Sequence, residues 1–215
     1  MAKRTPTPPM TTVYLVRHGQ TTTTGSVLPG RAPGLHLTET GQAQAQRAAE
    51  RLTTAGTIAA VYASPLERTR ETAAPIAKAL GLRVRTAKGL LEADFGDWTG
   101  RKLDELRKLP EWRAVQNAPS TFRFPKGESF AEMQTRICGE LARLVAAHPG
   151  ERIVCVSHAD PIKAAVAQAQ GVHLDLFQRT VISPCSITAI LYGAGATVVL
   201  TVNSTGDDLS TLVPS

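Results

Sequence analysis

An apolar run that stops abruptly on three chemically active residues constrains this chain more than any other feature. Thr12-Val13-Tyr14-Leu15-Val16 has the β-branched and aromatic content of a buried strand, and Arg17-His18-Gly19 follows at once. In open α/β folds, a strand buried in the sheet delivers whatever follows it to the sheet's edge, where ligands bind. Here the delivered groups are a guanidinium, an imidazole and a flexible glycine. An imidazole beside a fixed positive charge is suited to attacking an anion, and phosphate is the obvious one. Taken alone, these three residues are better accounted for by a strand ending in a polar turn, so the case has to come from the rest of the chain.

Strand-like and helix-like segments alternate along that remainder. Thr38 has the chemistry of an N-cap for a helix reaching about Leu52, and Ile58 to Ala63 reads as a second strand. Ser64-Pro65 fits the start of another helix, with a kink or break expected at Pro75. Leu82 to Thr86 reads as a third strand, and Gly89 to Lys126 is irregular with short helical pieces at Leu103 to Leu109 and Glu111 to Gln116. From Ser129 to Ala147, Phe130, Met133, Ile137, Leu141, Leu144 and Val145 form one apolar stripe at helical spacing. Arg152 to Val156 is a fourth strand, followed by Ser157-His158-Ala159-Asp160-Pro161 and a helix to Gly171. Ser186 to Tyr192 and Ala196 to Val202 read as a closing hairpin.

This order predicts an α/β three-layer sandwich. Its central sheet is mostly parallel with an antiparallel edge strand, and helices lie on both faces. The chain has 215 residues, which suits one such domain. Residues 11–205 are expected to form it, with a disordered tail at 1–10 and a loose tail at 206–215. Only 5% of residues are aromatic against 42% hydrophobic, so the core must rely on Ala, Val, Leu and Ile.

The formal charge is +6, from 24 basic and 18 acidic residues, but the excess is scattered. It contains no basic block interleaved with aromatics, which argues against nucleic acid and suits a small anionic substrate. Cys138, Cys155 and Cys185 are odd in number and far apart, as expected of buried thiols in a reducing compartment. No apolar signal-peptide core follows the basic residues near Met1, and no stretch is long and apolar enough to span a bilayer. The expected location is the cytoplasm, with no membrane partner. Oligomeric state is left open, a homodimer being one option.

Four places gather chemistry: Arg17 and His18 after strand one, Arg68 in the first turn of the helix after Ser64, Glu92 after Leu90-Leu91, and His158 after strand four. With the segments around them they form an ordered set. It comprises Leu15-Val16-Arg17-His18-Gly19, Leu37-Thr38-Glu39-Thr40-Gly41, Ala63-Ser64-Pro65-Leu66-Glu67-Arg68-Thr69, Leu91 to Gly100, Gly127-Glu128-Ser129 and Val156-Ser157-His158. The set resembles the histidine phosphatase superfamily, also called phosphoglycerate-mutase-like. The Gly30 to Gly34 loop and Leu174 to Arg179 are similar to an actinobacterial branch of that superfamily labelled as phosphomutases.

The resemblance implies that His18 is the nucleophile, with catalytic support from Arg17, Arg68, Glu92 and His158. Uncatalysed phosphate-monoester hydrolysis is so slow that enzymes accelerate it by up to about 10²¹. A covalent phosphohistidine divides that barrier into two steps. Arg17 and Arg68 are expected to grip phosphoryl oxygens by forked hydrogen bonds and to hold His18 neutral, with a backbone carbonyl fixing its tautomer. His158 forms another wall of the pocket and stabilises the transferring charge. Glu92 protonates the departing oxygen and then activates water. No metal or other cofactor is expected, since no His/Cys/Asp set has ligand spacing.

Gln20, Thr24, Gly30 and Arg31 of the long loop from Gln20 to His36 are further candidates for substrate binding. Relatives commonly carry an Asn where Thr24 stands, and a hydroxyl donates one hydrogen bond against an amide's two. Where relatives often have Gly-Gly after the second histidine, this chain has Ala159-Asp160, and Asp160 reads as a helix cap. His36, His148 and His173 lie outside these motifs and read as structural, with His36 near enough to the loop to meet a ligand. Trp98 reads as packing beneath the site.

The expected activity is therefore hydrolysis of a small phosphorylated metabolite. The alternatives are a phosphomutase and, behind it, an inactive phosphate-binding regulator. A mutase must exclude water, and only about 35 residues separate Glu92 from Gly127, which is little material for a lid.

Overall fold

The computed structural model describes residues 9–193 and 195–206, so the expected tails fall almost wholly outside the described residues. Six strands form one sheet: β1 (Thr11–Arg17), β2 (Ala60–Ala63), β3 (Val84–Thr86), β4 (Arg152–Ser157), β5 (Ile187–Gly193) and β6 (Ala196–Ser204). Their spatial order is β3-β2-β4-β1-β5-β6. Strands β3, β2, β4 and β1 are mutually parallel, and β5 pairs antiparallel with both β1 and β6. The sheet is mostly parallel, as the strand-helix alternation implied. The strand that runs against the others is β5, and β6 covers its outer side.

Period-two alternation splits the strands between two cores. Tyr14, Val16, Val61, Ala63, Val154 and Val156 face one way and pack with Ala49, Leu52, Ala73 and Ile76. Those partners lie on α1 (Glu39–Thr53) and α2 (Glu67–Ala79). Val13, Leu15, Ala60, Ile153 and Cys155 face the other way. They pack with Met133, Ile137, Leu141 and Ile162, on α5 (Phe130–Ala147) and α6 (Ala159–Ala169). Two short helices, α3 (Leu103–Leu106) and α4 (Trp112–Asn117), lie in the irregular stretch before α5. Trp98 is buried there among Trp112, Phe122 and Phe124, so it packs as expected.

Two caps follow their sequence signals. The Thr38 hydroxyl accepts from the Gly41 amide, and Ser129 with Glu132 forms a reciprocal capping box on α5. Three other expectations fail. Helix α2 starts at Glu67 with Leu66 as its cap, because the Ser64 hydroxyl is committed to His158. That helix also passes through Pro75 unbroken, since Ala73, Ile76 and Ala77 on either side are packed into the core. Asp160 lies inside the first turn of α6, whose cap is His158. Its carboxylate pairs instead with Lys163 at 3.3 Å.

The loop after β1 crosses the start of α1 at backbone contact. A Cβ on Gly41 would meet the Gln20 carbonyl oxygen at 2.1 Å, and one on Gly19 would meet the Gly41 oxygen at 2.5 Å. Gly41→Ala is therefore expected to destabilise the protein by about 1–3 kcal/mol, the usual range for overpacking. Chemical denaturation checks this, and an unchanged midpoint would refute the close approach.

Candidate active site

Parallel pairing of β1 with β4 sets the centre of the site. Arg17 stands opposite Ser157 in register, and the His18 amide donates to the Ser157 carbonyl at 3.0 Å. His18 and His158, the next residue on each strand, are thus brought side by side, with ring centroids 5.2 Å apart. Both are buried.

The His18 Nδ1–H donates to the Gly19 carbonyl at 2.8 Å, which leaves the lone pair on Nε2. Burial above all, then the charges of Arg68 and Arg17, lower the His18 pKa to about 3, against the pull of that hydrogen bond. The ring is neutral and nucleophilic at any ordinary pH. Sequence reasoning anticipated the carbonyl and the two arginines. It did not weigh burial, the largest cause.

Arg68 projects from the first turn of α2 and is fully buried. Its Nη2 donates to the Gly30 carbonyl at 2.7 Å, while Nε and Nη1 have no partner among the described residues. Arg17 donates from Nη1 to the Ile182 carbonyl at 2.6 Å and also keeps a buried, unpartnered Nε. His158 shares a 2.9 Å hydrogen bond between Nε2 and the Ser64 hydroxyl, and its Nδ1 is buried without a partner. Burial, then Arg68, His18 and the other nearby arginines, hold His158 well below the usual histidine range. Sequence reading missed Ser64 as a site residue, because Ser-Pro before a helix has the same signature as a cap.

Glu92 follows a single 3₁₀ turn at Lys88–Leu90 and is 8% exposed. Its Oε1 accepts from the Ala93 amide at 2.9 Å. Burial first, then the Asp160 carboxylate, push its pKa up to about 7, although the Ala93 N–H, Arg68 and Arg17 oppose the rise. A carboxylic acid that titrates near neutrality can both donate and accept a proton in one cycle.

Arg17, His18 and Glu92 line a cleft of about 350 Å³ together with Thr24, Asp160 and Lys163, whereas Arg68 and His158, both fully buried, are not part of that lining. The outer wall of the cleft is apolar, with Val27, Leu28, Pro29, Phe95 and Leu103. A larger hollow of about 550 Å³, beside Gln44, Arg47 and Cys185, contains none of the expected catalytic residues.

The remaining loop candidates are distributed differently from expectation. Thr24 reaches the cleft, but its hydroxyl bonds to the amide and hydroxyl of Thr21. Gln20 engages Gln44 and Thr38 through its backbone and does not line the cleft. Gly30 offers its carbonyl to Arg68 rather than to the cleft. Arg31 turns behind Glu92, where its nitrogens face the Glu92 carbonyl, Glu128 and Asp94, so it does not line the cleft either. Loop sequence has no periodicity from which those directions could have been read.

None of the other three histidines lines the cleft. His36 pairs with Glu71, His148 bonds Tyr62 and Glu151, and His173 accepts from the Asp175 amide. Cys155 and Cys185 are buried, Cys138 is half-buried, and all three are free thiols. Among the described residues, no helix is long and apolar enough to cross a membrane.

The family model of the histidine phosphatase superfamily (branch 1) matches residues 13–205. The chain is 35% identical, over 91% of its length, to a bifunctional protein of Mycobacterium tuberculosis, and it spans only 54% of that protein. It is 32% identical to phosphoserine phosphatase 1 of Hydrogenobacter thermophilus, covering 91% of this chain and 93% of that one. It is also 35% identical to "Probable phosphoglycerate mutase GpmB" of Enterobacter sp., covering 85% and 86%. Among solved structures, phosphoserine phosphatase from Entamoeba histolytica in complex with 3-phosphoglyceric acid superposes with a TM-score of 0.82. Identity there is 26%, over 93% of this chain and all of that one.

Proposed function

Because this chain belongs to branch 1 of the histidine phosphatase superfamily, we propose that it hydrolyses a small phosphomonoester through a covalent phosphohistidine on His18, without a metal. One observation carries the reading. Arg17 Nε, Arg68 Nε and Nη1, and His158 Nδ1 are buried polar atoms with no hydrogen-bond partner among the described residues. Burying a donor without a partner costs about 1–3 kcal/mol, and more when it is charged. A tetrahedral oxyanion in front of the neutral His18 ring is the ligand that uses these groups together.

The chemistry follows from the same groups. His18 Nε2 attacks phosphorus, and the bond to the leaving oxygen breaks as Glu92 gives that oxygen its proton. With Ser64 donating to His158 Nε2 across their 2.9 Å contact, the unpartnered His158 Nδ1–H would be free to donate to the phosphoryl group. Glu92, now a carboxylate, takes a proton from water as the water attacks phosphorus. The phosphorus–nitrogen bond then breaks and returns the electron pair to His18. Charge that a metal would neutralise elsewhere is met by two guanidiniums fixed in a buried site. The apolar outer wall suits a leaving group with carbon surface. The substrate would be a phosphorylated metabolite of the cytoplasm, where the three thiols stay reduced.

Similarity to the GpmB mutase supports transfer to a second hydroxyl as the other reading. A panel of phosphorylated metabolites tests both. Inorganic phosphate should appear at a rate that a chelator does not change. Isomerised product without net phosphate release would establish the mutase instead, and chelator-sensitive turnover would refute metal independence.

A further inference from the structure

Arg31 and Arg136 converge on the backbone of Glu92 from opposite directions in sequence. Arg31 Nε donates to the Glu92 carbonyl at 2.8 Å, and Arg136 Nη2 donates to the same oxygen at 3.2 Å. Arg136 Nη1 also holds the Gly89 and Leu91 carbonyls, each at 2.8 Å. The two guanidiniums are joined by Glu128. It takes a forked pair from Arg136, at 2.8 and 2.9 Å, and a 3.0 Å bond from Arg31 Nη2. The side chain of Glu128 is only 13% exposed, so the cluster is shielded from solvent screening.

Gly30 precedes Arg31 and does the complementary task. Its carbonyl accepts from Arg68. Its φ of +53° and the 2.9 Å approach of Thr99 Oγ1 to a Cβ built there leave no room for a side chain. Two adjacent loop residues therefore hold Arg68 and the backbone of Glu92.

We infer that Gly30 and Arg31, locked by Glu128 and Arg136, form a bracket that fixes the acid Glu92 relative to the phosphate-binding Arg68. This inference rests on the role proposed for Glu92. Arg31 is then a positioning residue that never touches the substrate, since its nitrogens are committed behind the acid. The physical argument is one of tolerance. A reacting group displaced by about 1 Å can lose on the order of 10²-fold in rate. Among the described residues, the only hydrogen bond on the Glu92 carboxylate comes from the adjacent Ala93 amide, so its aim is set by the backbone that the bracket holds.

The test compares kcat/KM on an alkyl phosphate, which needs its leaving oxygen protonated, with an aryl phosphate, which does not. Arg31→Gln should lose about 10–100-fold on the alkyl substrate, up to the scale of a misplaced reacting group, and stay within about threefold on the aryl one. Glu128→Gln should repeat that pattern. The double variant R31Q/E92Q should be no slower than E92Q, because two residues acting through one proton transfer do not add. Equal losses on both substrates, or additive losses in the double variant, would overturn the bracket. If E92Q slows the alkyl substrate and R31Q does not, the bracket alone falls. If E92Q slows neither substrate, the acid assignment falls and takes this inference with it.

Discussion

His18→Ala should abolish phosphate release, with a loss on the order of 10⁶-fold, the scale seen when the nucleophile of another covalent hydrolase is removed. The neighbouring imidazole is poorly placed to replace it. His158 is committed through Nε2 to Ser64, and burial disfavours its charged form. Because the His18 pKa lies at about 3, its titration leaves no mark on the rate at pH 5 or above. Phosphate transferred from a labelled substrate should be found on His18 after alkaline quench and be lost in acid, as expected of a phosphorus–nitrogen bond. The variant should take up no label yet still bind inorganic phosphate, since Arg17 and Arg68 remain. Label on any other residue, or wild-type turnover in the variant, would sink the mechanism.

Glu92→Gln should cost about 10²–10⁴-fold in kcat/KM on alkyl phosphates, the ordinary contribution of a general acid, and far less on aryl phosphates. Wild-type kcat/KM on alkyl phosphates should fall above about pH 7, where Glu92 loses its proton, and the variant should lack that limb. Asp160→Asn should move the limb to lower pH, because the Asp160 carboxylate is one cause of the raised value. A second consequence concerns stability. The folded chain holds the Glu92 proton up to about pH 7, whereas an unfolded chain releases it near 4.5. Across that interval the native state binds more protons, so stability falls as pH rises. Glu92→Gln should therefore raise the unfolding midpoint at pH 8, by up to the order of 3 kcal/mol in stability. A variant equally active on both substrate classes, or no more stable at pH 8, would remove the buried acid from the account.

What could be read beforehand was what strands and helices dictate. The alternation of Tyr14 and Val16 against Val13 and Leu15 specified a strand covered on both faces. Two such strands ending in histidine placed the imidazoles at one edge. The misreadings at Ser64 and Asp160 share a cause. Each residue type before a helix serves equally as a cap or as a site group, and only a partner more than 90 residues away, or a lysine one turn on, decides. Arg31 was seen as active but given the wrong direction. The carbonyl it seeks is 61 residues further along, in a loop with no repeating pattern. Arg136 was invisible for the opposite reason, because on the clearest helix of the chain it looks like one more charged side chain on the polar side.

The pairing of Arg17 with Ser157 also has a consequence in time. Arg17 is made some 140 residues before Ser157, its partner on the neighbouring strand. During synthesis the early segments can gather their helices, yet the two imidazoles cannot meet until the chain past residue 158 has emerged. Contacts of such long range are slow to close. On the proposed mechanism, a chain that ends before residue 158 should be chemically silent, with activity a late event of folding that reports completion of the centre of the sheet.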